Sequence, residues 1–207
     1  MPRIAAGTLR EHREMMQNAL IDAAEQILHD GGRLTAGEVA SAAGIARNSL
    51  YRYVASVDDL KVLVLNKHLP QWSQGVADAV EAAADPREKV IAYVRTNLDK
   101  AAPGGHGWLM KMAEGIAANT HQELASMHTQ LARLLAEAVA STGLTQPELL
   151  ERIITGIVQA GFTRLEAGDD PQQVTEGCLR AASAVLEAGV ALESSAQTSN
   201  QRTGSGV

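Results

Sequence analysis

Six helix starts can be read directly off the chain, and they leave little room for any other secondary structure. Four are Ser/Thr-x-x-Glu/Asp boxes, in which a hydroxyl caps a free backbone N–H and the acid reaches back: Thr35 with Glu38, Ser56 with Asp59, Thr120 with Glu123, and Thr145 with Glu148. Two are Asp-Pro pairs, Asp85-Pro86 and Asp170-Pro171, with the acid as cap and proline at the first helical position, where its missing N–H costs nothing. Gly32, Gly44, Gly143 and Gly168 stand where left-handed caps would end helices. Together with a 3.6-residue apolar period, these marks predict helices over 10–31, 36–43, 47–54, 57–83, 86–102, 107–118, 121–142, 146–167 and 171–193. Composition agrees: 35 of the 207 residues are Ala and aromatics make up 3%, which favours helix and disfavours strand. The expected fold is all-α, with a mobile connector at Pro103-Gly104-Gly105-His106 and a disordered Ser/Thr/Gln/Gly-rich tail over 194–207.

Several function classes fall away. No apolar run approaches the roughly 18 to 20 residues of a membrane span, and residues 1–15 are too polar for a signal peptide, so a soluble cytoplasmic protein is expected. The single cysteine, Cys178, cannot form an intrachain disulfide. His121 and His128 share a helix face but lie about 10.5 Å apart at the standard rise, too far to hold one ion, so no metal or other cofactor is expected. The acid pairs Asp58-Asp59 and Asp169-Asp170 are used up at helix starts, leaving no catalytic cluster and predicting no enzyme. Net charge is −6, with residues 1–65 holding seven Lys and Arg against eight Asp and Glu, so any anion must be met by a local patch.

Residues 38–60 supply such a patch. A short helix with Val39, Ala40 and Ala43 on one side turns at Gly44, Ile45 plugs the turn, and a second short helix follows with Leu50, Tyr53 and Val54 inward: a helix-turn-helix pattern. On the outer side Arg47, Asn48, Tyr51 and Arg52 fall together, because i, i+1, i+4 and i+5 share a helix face. Arg pairs with guanine or phosphate and Asn with adenine, while hydroxyls such as those of Thr35, Ser49 and Tyr53 suit phosphate oxygens.

From about Arg13 to Leu65 the chain resembles the N-terminal domain of the TetR family of one-component bacterial transcriptional regulators. The resemblance rests on Ala23-Ala24 and a terminal Gly in the first helix, then Thr35, Val39-Ala40, Ala43-Gly44-Ile45, Leu50-Tyr51-x-Tyr53, Ser56 and Leu60, with the nine-helix count and two long closing helices behind them. It departs at Ala46, where the family has a small hydroxyl capping the recognition helix, at Val54 in place of Phe, and at Val57 in place of Lys. The resemblance implies a DNA-binding domain over 1–56, a helical ligand-binding and dimerisation domain over 57–193, and a repressor that binds a near-palindromic double-stranded operator as a homodimer and is released by a small effector. The alternative is a helical ligand-binding or protein-interaction module without DNA binding, which Ala46, Val57 and the net acidity favour.

The remaining two thirds agree with that expectation. Helix 146–167 carries Leu149, Leu150, Ile153, Ile154, Ile157, Val158, Phe162 and Leu165, an apolar arc too wide for one packing face. Helix 171–193 carries the small residues Gly177, Ala181, Ala184 and Ala188, so two copies could pack closely there, with Ile157 and Gly161 opposite. Trp72, Tyr93, Trp108 and Met112 are bulky or adaptable side chains suited to an apolar pocket, and Asn97 and Gln159 are polar where the period expects burial. These six are the expected effector contacts.

Overall fold

The computed structural model describes the backbone of residues 6–103, 107–113 and 121–203. Among these the chain is all-α, with no strand: α1 (Ala6–His29), α2 (Ala36–Ala42), α3 (Arg47–Leu50), α4 (Val57–Ala82), α5 (Pro86–Ala101), α6 (Gly107–Ala113), α7 (His121–Ser141), α8 (Pro147–Glu166) and α9 (Pro171–Thr203). Gly104 to His106 of the connector, the end of the predicted helix 107–118, the Thr120–Glu123 box and the last four residues of the tail lie outside the described residues.

Most of the helix starts are made as the sequence signals them. Thr35 Oγ1 accepts from the Glu38 N–H at 3.2 Å and donates to Glu38 Oε2 at 2.7 Å, a variant of the capping box in which the acid meets the cap hydroxyl. Ser56 Oγ accepts from the Asp59 N–H at 3.0 Å. Asp85 Oδ1 accepts from the Arg87 and Glu88 N–H groups, and Asp170 Oδ1 accepts from the Gln172 N–H. α8 begins at Pro147, one residue later than expected, and its cap position is Gln146, held left-handed at φ 60° with no cap bond from its own side chain. Two start signals overlap there, and the proline takes the first helical position. Gly31, at φ 74°, rather than Gly32 turns the chain out of α1, and Gly32 then donates its N–H to the Ile27 carbonyl at 2.8 Å.

Two helix lengths also differ from expectation. The segment after Gly44 is helical only over Arg47–Leu50, not to 54; Ala46 supplies no cap bond, and the chain tightens into i→i+3 bonds from Arg52 to Ser49 and from Tyr53 to Leu50. α9, in contrast, runs on to Thr203 through the first ten residues of the expected tail. No glycine or proline stands between 190 and 203 to stop it.

The chain divides into two compact units. The first comprises residues up to Leu69 together with the stretch from Trp108 to 123. Its core includes Leu20, Ala24, Val39, Leu50, Leu60, Val64 and Leu109, all fully buried. The opening turns of α4 contribute Leu60, Val64 and Leu65 to this core. Lys67 at the end of that stretch bridges Asp22 and Glu25 of α1 at 3.0 and 2.9 Å, and the Glu25 carboxylate holds the ammonium above the usual lysine range.

The second unit takes the rest, from Pro70 to Gly107 and from Leu124 onward. α5, α8 and α9 pack on one another around Val90, Val94, Leu98, Ile154, Val158, Ala182 and Leu186. α8 approaches most closely at Gly161, where an added Cβ would collide with Leu98 and press on Cys178 Sγ. α4 belongs to both units, and Pro70 inside it marks the division, removing the N–H that would bond the Asn66 carbonyl.

Candidate nucleic-acid interface

The outer side of the second helix of the helix-turn-helix is built as a row. Leu50 is fully buried and Val54 nearly so, which fixes the inward face of the segment. With those inside, Arg47, Asn48, Tyr51 and Arg52 are all exposed, Tyr51 by 51%. Two guanidinium groups, one amide and one phenol thus stand together at the surface. Gly44, at φ 69°, makes the turn that presents them, a conformation that glycine adopts without strain.

The expected phosphate anchors are placed differently. The Thr35 hydroxyl is exposed but engaged in its capping box with Glu38. Ser49 is half-buried. Tyr53 is half-buried as well, its ring edge-on to His12 with centroids 6.4 Å apart, and its carbonyl accepts from Gln17 Nε2 at 2.9 Å. Sequence reasoning missed Gln17 and His12, since nothing local links them to a segment some 36 residues downstream. Arg10 and Arg13, near the start of α1, are exposed as well, and Arg10 pairs with Glu14 at 2.8 Å.

Three of the six expected effector contacts meet in the second unit. Trp72 is 2% exposed and its Nε1 donates to Asn97 Oδ1 at 3.0 Å, while Asn97 Nδ2 donates to the Tyr93 carbonyl at 2.8 Å. Phe162 stands edge-on to Trp72 with centroids 6.3 Å apart. Burial, with a smaller contribution from Glu151, pushes the Tyr93 phenol up to about 12. The other three stand elsewhere. Gln159 is exposed on α8, and Trp108 and Met112 belong to the first unit, where Trp108 lies edge-on to His68 at 5.3 Å.

The apolar arc of α8 splits into two faces. Leu150, Ile154, Val158 and Leu165 are buried, whereas Leu149 and Ile153 remain 52% and 39% exposed. On α9, Ala181, Ala184 and Ala188 are exposed and Gly177 is half-buried, as is Ile157 on α8. Gly161 departs from the expected seam: it is buried within its own chain, between Leu98 and Cys178. A groove of about 440 Å³ opens near the α8–α9 turn, lined among others by Arg164, Asp169, Gln173 and Cys178. None of its lining residues belongs to the Trp72 cluster. Cys178 donates to the Ile157 carbonyl at 3.6 Å, and burial pushes its thiol up, toward the unreactive form.

No family model matches the chain. The helix-turn-helix transcriptional regulator BetI of Rhizobium meliloti is 31% identical over 107 residues, a span that covers about half of this chain (50%) and half of that relative (50%). A TetR-family transcriptional regulator from Streptomyces coelicolor superposes with a TM-score of 0.70 at 19% identity, over 83% of this chain and 88% of that one. AibR, solved in complex with isovaleryl coenzyme A and operator DNA, superposes at 0.62 with 17% identity, over 79% of this chain and 96% of that one. No helix among the described residues is long and apolar enough to cross a membrane.

Proposed function

We propose that this chain, TetR-like in its sequence and its fold, is a transcriptional regulator that binds double-stranded DNA through the Arg47–Arg52 row as a homodimer and is released by a small, mostly apolar effector. The exposed cluster of Arg47, Asn48, Tyr51 and Arg52 beside the Gly44 turn carries the reading. Arg and Asn can each form two hydrogen bonds to one base edge in the major groove, which gives sequence choice to a protein whose net charge is −6. Arg10, Arg13, Ser49 and Tyr53 then serve phosphates.

The exposed apolar side of α8 and the small-residue side of α9 support the homodimer, since Leu149 and Ile153 on the one and Ala181, Ala184 and Ala188 on the other would gain cover from a symmetry mate. Two-fold symmetry sets two reading helices about 34 Å apart for half-sites one turn away. The direct test is selection of duplexes from a random-sequence pool. Near-palindromic sites are the expected product, and recovery of unrelated sequences in proportion to the input would reject DNA reading in favour of a module without it. Ala181→Glu and Ala184→Glu should each bury an unpaired charge and yield monomers by sedimentation; an unchanged dimer in both would move the interface.

The effector is assigned to the second unit, around Trp72, Tyr93 and Asn97. These side chains fill one another's space, so a ligand enters by displacing the Trp72 or Phe162 ring and taking over the Asn97 hydrogen bonds. α4 carries both Trp72 and, at its start, the segment following the reading row. By linkage, DNA and effector oppose each other with one coupling free energy, typically about 1–3 kcal/mol. A screen of apolar molecules by thermal shift and tryptophan fluorescence checks this; a molecule that shifts both signals and leaves duplex affinity unchanged would sever the effector site from DNA release.

A further inference from the structure

The hydrogen bond from Gln17 to the Tyr53 carbonyl joins the middle of α1 to the end of the reading segment, and no sequence motif announces it. α3 is one turn long, and so short a helix has no stability of its own. Its N-terminus lacks a side-chain cap at Ala46, so that end is held by backbone bonds and by packing on α2 alone. After Leu50 the chain closes through the Arg52, Tyr53 and Val54 N–H groups, and the Tyr53 carbonyl then points away from that ladder. Among the described residues no backbone N–H takes it up, and Gln17 Nε2 does, at 2.9 Å in a partly buried setting. Leu50 and Val54 are both buried and set which face of the segment turns inward, but non-directional apolar packing tolerates small rotations that a hydrogen bond does not. The bond at the Tyr53 peptide narrows that range, and His12 against the Tyr53 ring adds weight to the same side.

We infer that Gln17 is a positioning residue for DNA reading: its amide sets the angle at which Arg47, Asn48, Tyr51 and Arg52 meet the base edges, without itself touching DNA. The inference rests on the DNA-reading role proposed above. Base contacts demand close hydrogen-bond geometry, whereas attraction to phosphates tolerates rotation. Loss of the Gln17 bond should therefore reduce discrimination and leave general affinity alone.

The experiment compares the affinity of the full chain for a duplex recovered by wild-type selection with its affinity for a scrambled duplex of equal length, across a salt series. Gln17→Met, close in size and without a donor, should lower the ratio of the two affinities on the order of tenfold, about one base contact, with the scrambled affinity and salt slope unchanged. Gln17→Lys restores a donor, and its added charge acts on both duplexes, so its ratio should stay within about threefold of wild type. A merely structural role would lower the melting temperature without separating the two duplexes. A wild-type ratio in Gln17→Met, or equal losses in the Met and Lys variants, would overturn the inference. If Gln17→Met does not fold, Gln17→Glu, isosteric but without a donor, replaces it against Gln17→Lys with the same criterion. A wild-type protein that shows no preference between the duplexes overturns the DNA-reading role itself, and is told apart because the ratio is then flat before any substitution.

Discussion

Replacing Arg47, Asn48, Tyr51 and Arg52 together by alanine is expected to collapse binding of a selected duplex to the level of a scrambled one, a loss on the order of a thousandfold or more. Each well-made base contact is worth about 1–3 kcal/mol, and specific binding commonly exceeds non-specific binding by at least about a thousandfold. The single replacements divide by role. Arg47→Ala or Asn48→Ala should relax sequence choice at one position of each half-site, whereas removing a phosphate contact such as Arg10 or Arg13 should weaken all duplexes alike and flatten the salt dependence. Because all four side chains are exposed, circular dichroism and the thermal midpoint should be those of the wild type. Fluorescence anisotropy at several salt concentrations provides the measurement, and wild-type affinity in the folded quadruple variant would remove the reading surface from this face.

Trp72→Ala is expected to destabilise the second unit by about 3–5 kcal/mol, a large part of the 5–15 kcal/mol typical of a whole domain. The indole is 2% exposed, sits edge-on to Phe162, and donates to the buried Asn97. Truncation opens a cavity and leaves Asn97 Oδ1 without its donor. Trp72→Phe separates the two costs: it keeps most of the packing and removes the indole N–H, for an expected loss of about 1–3 kcal/mol. Denaturant unfolding should be compared at one protein concentration, since association adds to apparent stability. A loss below about 1 kcal/mol for Trp72→Ala would mean that the ring is not a core element, and the effector assignment built around it would fall too.

Features written within four or five residues were legible in the sequence. Thr35, Ser56, Asp85 and Asp170 cap their helices because a cap and its N–H targets are neighbours in the chain. The exposure of Arg47, Asn48, Tyr51 and Arg52 was equally local, set by the glycine turn and by the inward Leu50 and Val54. The boundary between two overlapping signals was not legible: Thr145 and Pro147 both announce α8, and the three-dimensional structure sets its first residue at Pro147. The length of α3 was overestimated for a related reason, since an apolar period continues through Val54 although the backbone has already changed its hydrogen bonding. Contacts between distant residues left no trace. Neither the burial of Gly161 between Leu98 and Cys178 nor the bond from Gln17 to Tyr53 has a local signature. Composition grouped the six effector candidates by chemistry alone; it could not show that Trp72, Tyr93 and Asn97 meet while Gln159 is exposed on α8.

The first compact unit is written in two places, and this limits how the protein could be remade. A chimera that takes only residues 1–69 and fuses them to a foreign sensor would omit the stretch beginning at Trp108, in which Leu109 is fully buried and Met112 is 5% exposed. The recipient would have to fill that gap with side chains of matching volume, or the grafted reader would carry an open wound in its core. Recombination in nature meets the same obstacle. A single crossover at the Pro70 break in α4 would part Leu109 from the core that encloses it, so exchange of the second unit calls for two crossovers, or for one followed by repair.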